Sequence, residues 1–397
     1  MDQSSHDRIQ KLVDQAANFN LYVIPDGQTS GGGRSTGIRA SHLLRRFDID
    51  TRPPDSSGIR AVNTIGENLG RLDVHWRFMP ESFSALPGKQ PPPTRLDPSK
   101  SQRFTMLNTE VHIGDGTGFR SFGAGRTFPF FTGGAPKLVA CAIGNVTEGF
   151  GQFRGNEGNF TMCGEISAER GFDGHIMIRL LDSQNKLRTA GSLPPIQRTT
   201  DPVPGVTYLT YIGQKGKSAD QENSFSLDPA GQVRGLNIPV DIRRVVTGCT
   251  LNDGSGFRAL DLAPGEVIAR EIGFGKGSIP NAPPTGTALN PFQFEGVSEY
   301  LFKESGGQVV GSLVVNVLEG RRFDVRLPAA PQEPALRFGF FGHIVVGKGI
   351  FAGVQGMLYG ASGSVFHMPP DDHVISNWYV GRIFDPDGRY RAAAGRG

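Results

Sequence analysis

Glu110 and His112 are the residues in this sequence best placed to move a proton together. They stand two apart in Asn108-Thr109-Glu110-Val111-His112-Ile113-Gly114-Asp115, a stretch that reads as a strand, where residues i and i+2 share a face. If that face turns into an apolar enclosure, desolvation raises the Glu110 pKa and lowers that of His112, which tunes the pair for general acid/base work near neutrality. Asn108 has the same parity. The plainer arrangement puts Val111 and Ile113 in the core and the polar set in solvent. Glu165 follows Thr161 and Cys163 in step along Asn159-Phe160-Thr161-Met162-Cys163-Gly164-Glu165; it adds a second carboxylate to the same cavity, or stands exposed on its strand face.

His175 and Arg179 share the parity of the next strand. Arg179 recurs as Arg382 and Asp182 as Asp385, so an ion pair at a strand end is the simpler role for the arginine. Asn145 and His343 occupy equivalent places before a glycine turn, where a polar group can satisfy turn backbone. The expected ligand-binding set is Asn108, Asn145, Cys163, His175, Arg179, His343 and Tyr359. His367-Met368-Pro369-Pro370-Asp371-Asp372-His373 has metal-ligand chemistry, but a Pro-Pro loop is no fixed frame and no spaced third His or Cys accompanies it, so no metal is expected. There is no G-x-S-x-G, no HExxH, no P-loop and no dinucleotide fingerprint in context, and no cofactor is expected.

The elements that must position these residues come in two copies. Asp115-Gly116-Thr117-Gly118-Phe119-Arg120 returns as Asp253-Gly254-Ser255-Gly256-Phe257-Arg258, Gly151 to Gly158 is echoed by Gly349 to Gly356, and Arg179-Leu180-Leu181-Asp182 by Arg382-Ile383-Phe384-Asp385. The shift grows from 138 (253 minus 115) to 198 (349 minus 151) and 203 (382 minus 179), which predicts an insertion of about 60 residues in the second copy. The expected organisation is an N-terminal extension over 1–100 with one amphipathic helix from Ser5 to Ala17, a first β-barrel repeat over 101–200, a connector over 201–244, and a second repeat over 245–392 with its insertion at 275–334. Residues 393–397 form a tail.

Composition agrees with an all-β chain. Among 397 residues there are 55 Gly, 28 Pro and 27 Phe, the mark of many short strands, tight turns and aromatic burial. A net charge of +3 from 41 basic and 38 acidic residues gives no reason to expect nucleic acid. Three cysteines without CxxC spacing suit a reducing compartment, and no apolar run reaches membrane-span length, so a cytoplasmic protein is expected.

Gly347-Lys348-Gly349-Ile350-Phe351-Ala352-Gly353-Val354-Gln355-Gly356 has a G-x-G-x-F-x-G-x-x-G rhythm, and Gly149 to Gly158 a similar one. This resembles the pattern of allene oxide cyclases and dirigent proteins. The resemblance implies small eight-stranded antiparallel barrels of calycin-like form that guide cyclisation or coupling of reactive apolar molecules without a cofactor. Allene oxide cyclases carry an acid and a neighbouring amide on the first barrel strand, and the matching stretch here offers Asn108, Glu110 and His112. The expectation is two fused antiparallel β-barrels. One is catalytic as an isomerase or cyclase of a hydrophobic small molecule, with Glu110 as base, His112 as its partner and Glu165 as auxiliary. A non-catalytic carrier of such a molecule and a structural or oligomer-forming β-protein stay open as alternatives.

Overall fold

In the computed structural model the chain consists almost entirely of strands. Residues 16–392 are described, apart from 31–36, 56, 80–93, 115, 132–136, 183, 197–204, 216–223, 228–231, 253–255, 279–293, 328–329 and 366–373. Eight strands come first: β1 (Ala16–Ser30), β2 (Gly37–Thr51), β3 (Ala61–Phe78), β4 (Arg103–Ile113), β5 (Thr117–Phe130), β6 (Lys137–Phe150), β7 (Gly158–Ser167) and β8 (Gly171–Leu181). Each pairs antiparallel with the next, and β1 also pairs with β8, so the sheet closes as an up-and-down barrel.

A short β9 (Arg188–Thr189) leads to β10 (Val206–Lys215), β11 (Ser224–Leu227), β12 (Gln232–Arg244), β13 (Val246–Thr247), β14 (Cys249–Asn252) and β15 (Gly256–Leu260). Then come β16 (Val267–Ser278), β17 (Phe294–Lys303), β18 (Val309–Leu327), β19 (Ala330–Gly349), β20 (Gly356–Val365) and β21 (Val374–Phe384). Strands β10, β12 and β16 to β21 close a second barrel of eight, while β14, β15 and β9 form a small separate sheet. Two fused antiparallel barrels are therefore the architecture. Among the described residues no helix is long and apolar enough to cross a membrane.

Each barrel is packed by the inward half of its alternating residues. Phe19, Trp76, Phe104, Phe119, Phe160 and Phe172 fill the first. Leu209, Val240, Phe302, Leu313, Val315 and Phe340 belong to the core of the second. A third cluster joins the outer walls, with Tyr22, Phe47, Ile143 and Met177 from the first barrel against Phe341, Met357, Trp378 and Val380 from the second.

The domain boundaries differ from the sequence expectation. Residues 16–78 are no extension: they supply β1, β2 and β3, three of the eight staves of the first barrel. Ala16 and Ala17, expected in a helix, begin β1, because the edge of β8 accepts them as a strand; residues 5–15 of that helix lie outside the described set. The connector supplies β10 and β12, and the stretch taken as an insertion supplies β17 and β18. The second copy thus carries no insertion of 60 residues. Ile113 lies opposite Gly70 and Phe302 opposite Ala269; Ala16 lies opposite Leu181 and Val206 opposite Phe384. Matching these pairs keeps the shift between 189 (302 minus 113) and 203 (384 minus 181).

The true counterpart of Asp253-Gly254-Ser255-Gly256-Phe257-Arg258-Ala259 is Asp55-Ser56-Ser57-Gly58-Ile59-Arg60-Ala61, which joins β2 to β3 as the later segment lies between β12 and β16. Gly58 and Gly256 both take positive φ, 121° and 93°, the region that favours glycine. The two segments cross over. Ile59 is buried in the core of the second barrel and Phe257 in that of the first, with Phe257 stacked on Phe19 at 4.6 Å. The Ala61 amide donates to the Tyr390 carbonyl and the Ala259 amide to the Leu187 carbonyl, both at 2.8 Å. Each barrel is capped by an arm from the other half of the chain.

Candidate functional site

Glu110 and His112 do meet, His112 Nε2 lying 3.3 Å from Glu110 Oε2, but on the outside of the first barrel. Val111 and Ile113 take the inward positions. Arg120 donates to Glu110 at 2.9 Å and to Glu148 at 2.8 Å, forming an exposed ladder of charges. The Arg120 guanidinium holds the Glu110 carboxyl below its usual range, the opposite of the upward shift that burial would produce. The face expected to hold Asn108 with them is broken by a bulge: the register shifts between Met106 and Thr109, and Asn108 takes φ 49° and is exposed. The strand equivalent to β4 is β17, and Glu299 stands where Glu110 does.

Glu165 is far from that ladder in the fold. It accepts from Lys137 at 3.1 Å and from Arg382 at 3.0 Å, joining the barrels. With Tyr22, Arg95, Arg170 and Asp173 it lines an open cleft of about 1020 Å³ at one end of β7 and β8. Asp173 accepts from the Tyr22 hydroxyl at 3.0 Å, and burial raises its pKa.

Most of the expected ligand-binding residues lie between the barrels. The His175 ring contacts Asn20 Oδ1 through Nε2 and the Tyr359 hydroxyl through Nδ1. Asn20 Nδ2 is engaged by the Phe47 carbonyl and Thr247. The network therefore fixes a neutral ring that donates from Nε2 and accepts at Nδ1. Cys163 and Cys141 are buried cross-strand neighbours, sulfurs 3.0 Å apart. Arg179 makes no ion pair with Asp182. It donates to the Ala361 and Ser376 carbonyls of the second barrel at 3.2 and 2.9 Å, while Asp182 receives the Lys186 and Leu187 amides, each at 2.8 Å, with Arg188 3.8 Å away. Asn145 accepts from Arg337 at 3.4 Å, and His343 lies edge-on to Phe130 at 5.2 Å, so both serve the interface rather than turn backbone. The cluster from His367 to His373 lies outside the described residues.

A buried carboxylate–tyrosine cluster that the sequence reading missed lies inside the second barrel. Glu271 lies opposite Tyr300 on the β16–β17 pair, and Tyr211 opposite Tyr379 on the β10–β21 pair. The Tyr300 hydroxyl donates to Glu271 Oε1 at 3.1 Å and the Tyr379 hydroxyl to Oε2 at 2.5 Å. Asn377 Nδ2 donates to the Tyr379 oxygen at 2.6 Å. Enclosure by protein raises the Glu271 pKa, while the Tyr379, Ser298 and Tyr300 hydroxyls oppose the rise by stabilising the carboxylate. Glu271 and Asn377 keep some accessible surface, whereas the three tyrosines beside them are buried.

The first barrel holds nothing comparable. At the positions of Glu271 and Tyr300 it has Leu72 and Val111, and at those of Tyr211 and Tyr379 it has Leu21 and Ile176, all buried and apolar. At these four inward positions one copy is wholly apolar, and the other carries an acid and three phenols. Only the correct register reveals the contrast, because the acid is one of 38 acidic residues in the chain and sits in an ordinary alternating strand. No family model, no curated protein and no solved structure matches this chain.

Proposed function

We propose that this protein is a cofactor-independent isomerase or cyclase of a small, mostly apolar molecule held inside the second barrel, with Glu271 moving the proton. The observation that carries the reading is the Glu271 carboxylate itself, enclosed in an apolar barrel and bridged by two tyrosine hydroxyls. Burying a carboxylate costs stability unless it is hydrogen-bonded, and the first barrel shows that the fold closes with leucine at that place. A carboxyl group whose pKa is raised by enclosure is matched to proton transfer near neutral pH. It needs no partner group to take a proton from carbon and return it. The resemblance to allene oxide cyclases and dirigent proteins belongs to the same proposal, and the eight-stranded antiparallel barrels support it. A cytoplasmic setting completes it, supported by three buried, unbridged cysteines.

The test is to incubate wild type and E271Q with a library of lipophilic metabolites and to analyse bound and released species by mass and retention time. Both proteins are expected to retain the same compound, and only wild type converts it to a species of equal mass and different retention. Retention without conversion by either protein makes the molecule a carrier. Turnover unchanged in E271Q removes Glu271 from the chemistry.

A further inference from the structure

The Tyr300 and Tyr379 hydroxyls are committed to Glu271, but the Tyr211 hydroxyl is committed to no atom of the described residues. Tyr211 is 1% exposed, its ring centre lies 5.5 Å from that of Tyr379 and 6.2 Å from that of Tyr300, and among the described residues its hydroxyl has no hydrogen-bond partner. A buried hydroxyl without a partner is costly to a fold, of the order of 1–3 kcal/mol. In the first barrel the position is Leu21, which fills the same place at no such cost.

Resting on the reading of Glu271 as the proton-transferring group, we propose that the substrate is a carbonyl compound with an acidic neighbouring C–H, and that Tyr211 is the donor to its oxygen. The placement follows the wall of the barrel. Tyr379, Tyr211, Glu271 and Tyr300 lie on an arc of contiguous strands, β21, β10, β12, β16 and β17, with Val240 opposite Glu271 on the intervening strand. Leu313, Val315 and Phe340 on β18 and β19 present an apolar wall to the same core. An apolar body against that wall leaves one oxygen to be satisfied on the arc.

The electron count closes within the site. The Glu271 carboxylate takes the proton from the carbon beside the carbonyl; the C–H pair becomes the new C=C bond, and the carbonyl π pair moves onto oxygen. Tyr211 donates to the oxygen as charge develops there, in surroundings closed to water where such a bond is strongest. Glu271 then returns the proton to a conjugated carbon or, where an internal electrophile captures the enolate and closes a ring, to the atom of that electrophile that takes up the displaced electron pair. Nothing is oxidised or reduced. Burial holds the Tyr211 hydroxyl well above its usual pKa, so it keeps the proton it must donate.

4-Nitrophenol, whose phenolate mimics an enolate, is the probe, with 4-nitroanisole as a partner of the same shape that carries no anionic oxygen. Titrated by absorbance, E271Q is expected to bind the phenolate about tenfold or more tighter than wild type, because the amide removes charge repulsion. Y211F in the E271Q background is expected to lose about tenfold of that affinity while binding 4-nitroanisole unchanged. Phenolate binding indifferent to Tyr211, or equal weakening of both probes, or no phenolate binding to E271Q, overturns the donor assignment and leaves the test of Glu271 by turnover untouched. Phenolate binding that requires Tyr211 while E271Q still turns over supports the donor and overturns the base.

Discussion

His175 and Trp378 stand at the same place in the two barrels, His175 opposite Tyr22 and Trp378 opposite Ile212 on the neighbouring strand. Each ring uses a nitrogen to reach the residue two positions earlier on that strand: His175 meets Asn20, and Trp378 Nε1 donates to Thr210 at 2.9 Å. A pseudo-twofold relation thus extends to individual hydrogen bonds, but only one of the two rings titrates.

That difference predicts acid lability. Burial lowers the pKa of His175 from 6.5 to about 3 and that of His42 from 6.5 to about 4, so the unfolded chain binds more protons than the folded one between those limits. Both groups contribute stability that is full above pH 6.5 and is lost as pH falls toward 4, at about 1.4 kcal/mol per pH unit for each. Denaturant midpoints measured from pH 7 to pH 4 are expected to fall, and H175Q to fall less steeply. An equal slope in H175Q removes the ring as a cause.

Glu271 works in the other direction. Its pKa is raised in the folded state, so its contribution is fully present at low pH and is lost as pH rises past its unfolded value. E271Q is therefore expected to be more stable than wild type at pH 8, by about 1.4 kcal/mol for each unit of the shift, and no more stable below pH 4. A gain that is the same at both pH values would trace to packing instead.

The two carboxylates singled out in the sequence should part company on mutation. E165A leaves the fully buried Arg382 without its anion, and the expected loss in chemical denaturation is about 3 kcal/mol or more. E110A removes an exposed ladder member and is expected to cost less than about 1 kcal/mol, with no change in turnover. Comparable costs for the two substitutions would contradict the placement of Glu165 between the barrels.

Crossed arms should make the halves unfold together. F257A is expected to lower stability by about 3–5 kcal/mol and I59A by about 2–5 kcal/mol, each within a single transition seen alike by fluorescence and far-ultraviolet circular dichroism. Separate transitions for the two barrels would show that the arms do not couple them.

Much of the fold was legible in the sequence. The glycine turn with Gly151 and Gly349, at φ 59° and 61°, and the Asp182 and Asp385 motifs mark equivalent places, because a tight turn and a side-chain cap on backbone amides each constrain residue type. Leu72, Val74 and Trp76 alternate with polar residues as a strand does, but that the first three strands belong to the barrel was not legible, since β1 to β3 differ in sequence from β10, β12 and β16, and the phrase at Asp253 resembles the one at Asp115 more closely than its true counterpart at Asp55. Strand parity carried the choice for Glu110, and the apolar partners Val111 and Ile113 decided it for the core. Glu271 gave no local signal; it becomes conspicuous only beside Leu72.

The exchange of caps has a consequence for how such a chain can change. Cutting it between the barrels would leave two open cylinders, each carrying the stopper of the other, so the halves must stay together to stay shut. Divergence then falls unevenly. The greasy twin, sealed by Phe257, can anchor the pair while its sibling keeps an enclosed acid and an unpartnered phenol in a place where a self-reliant domain would have been pressed toward leucine.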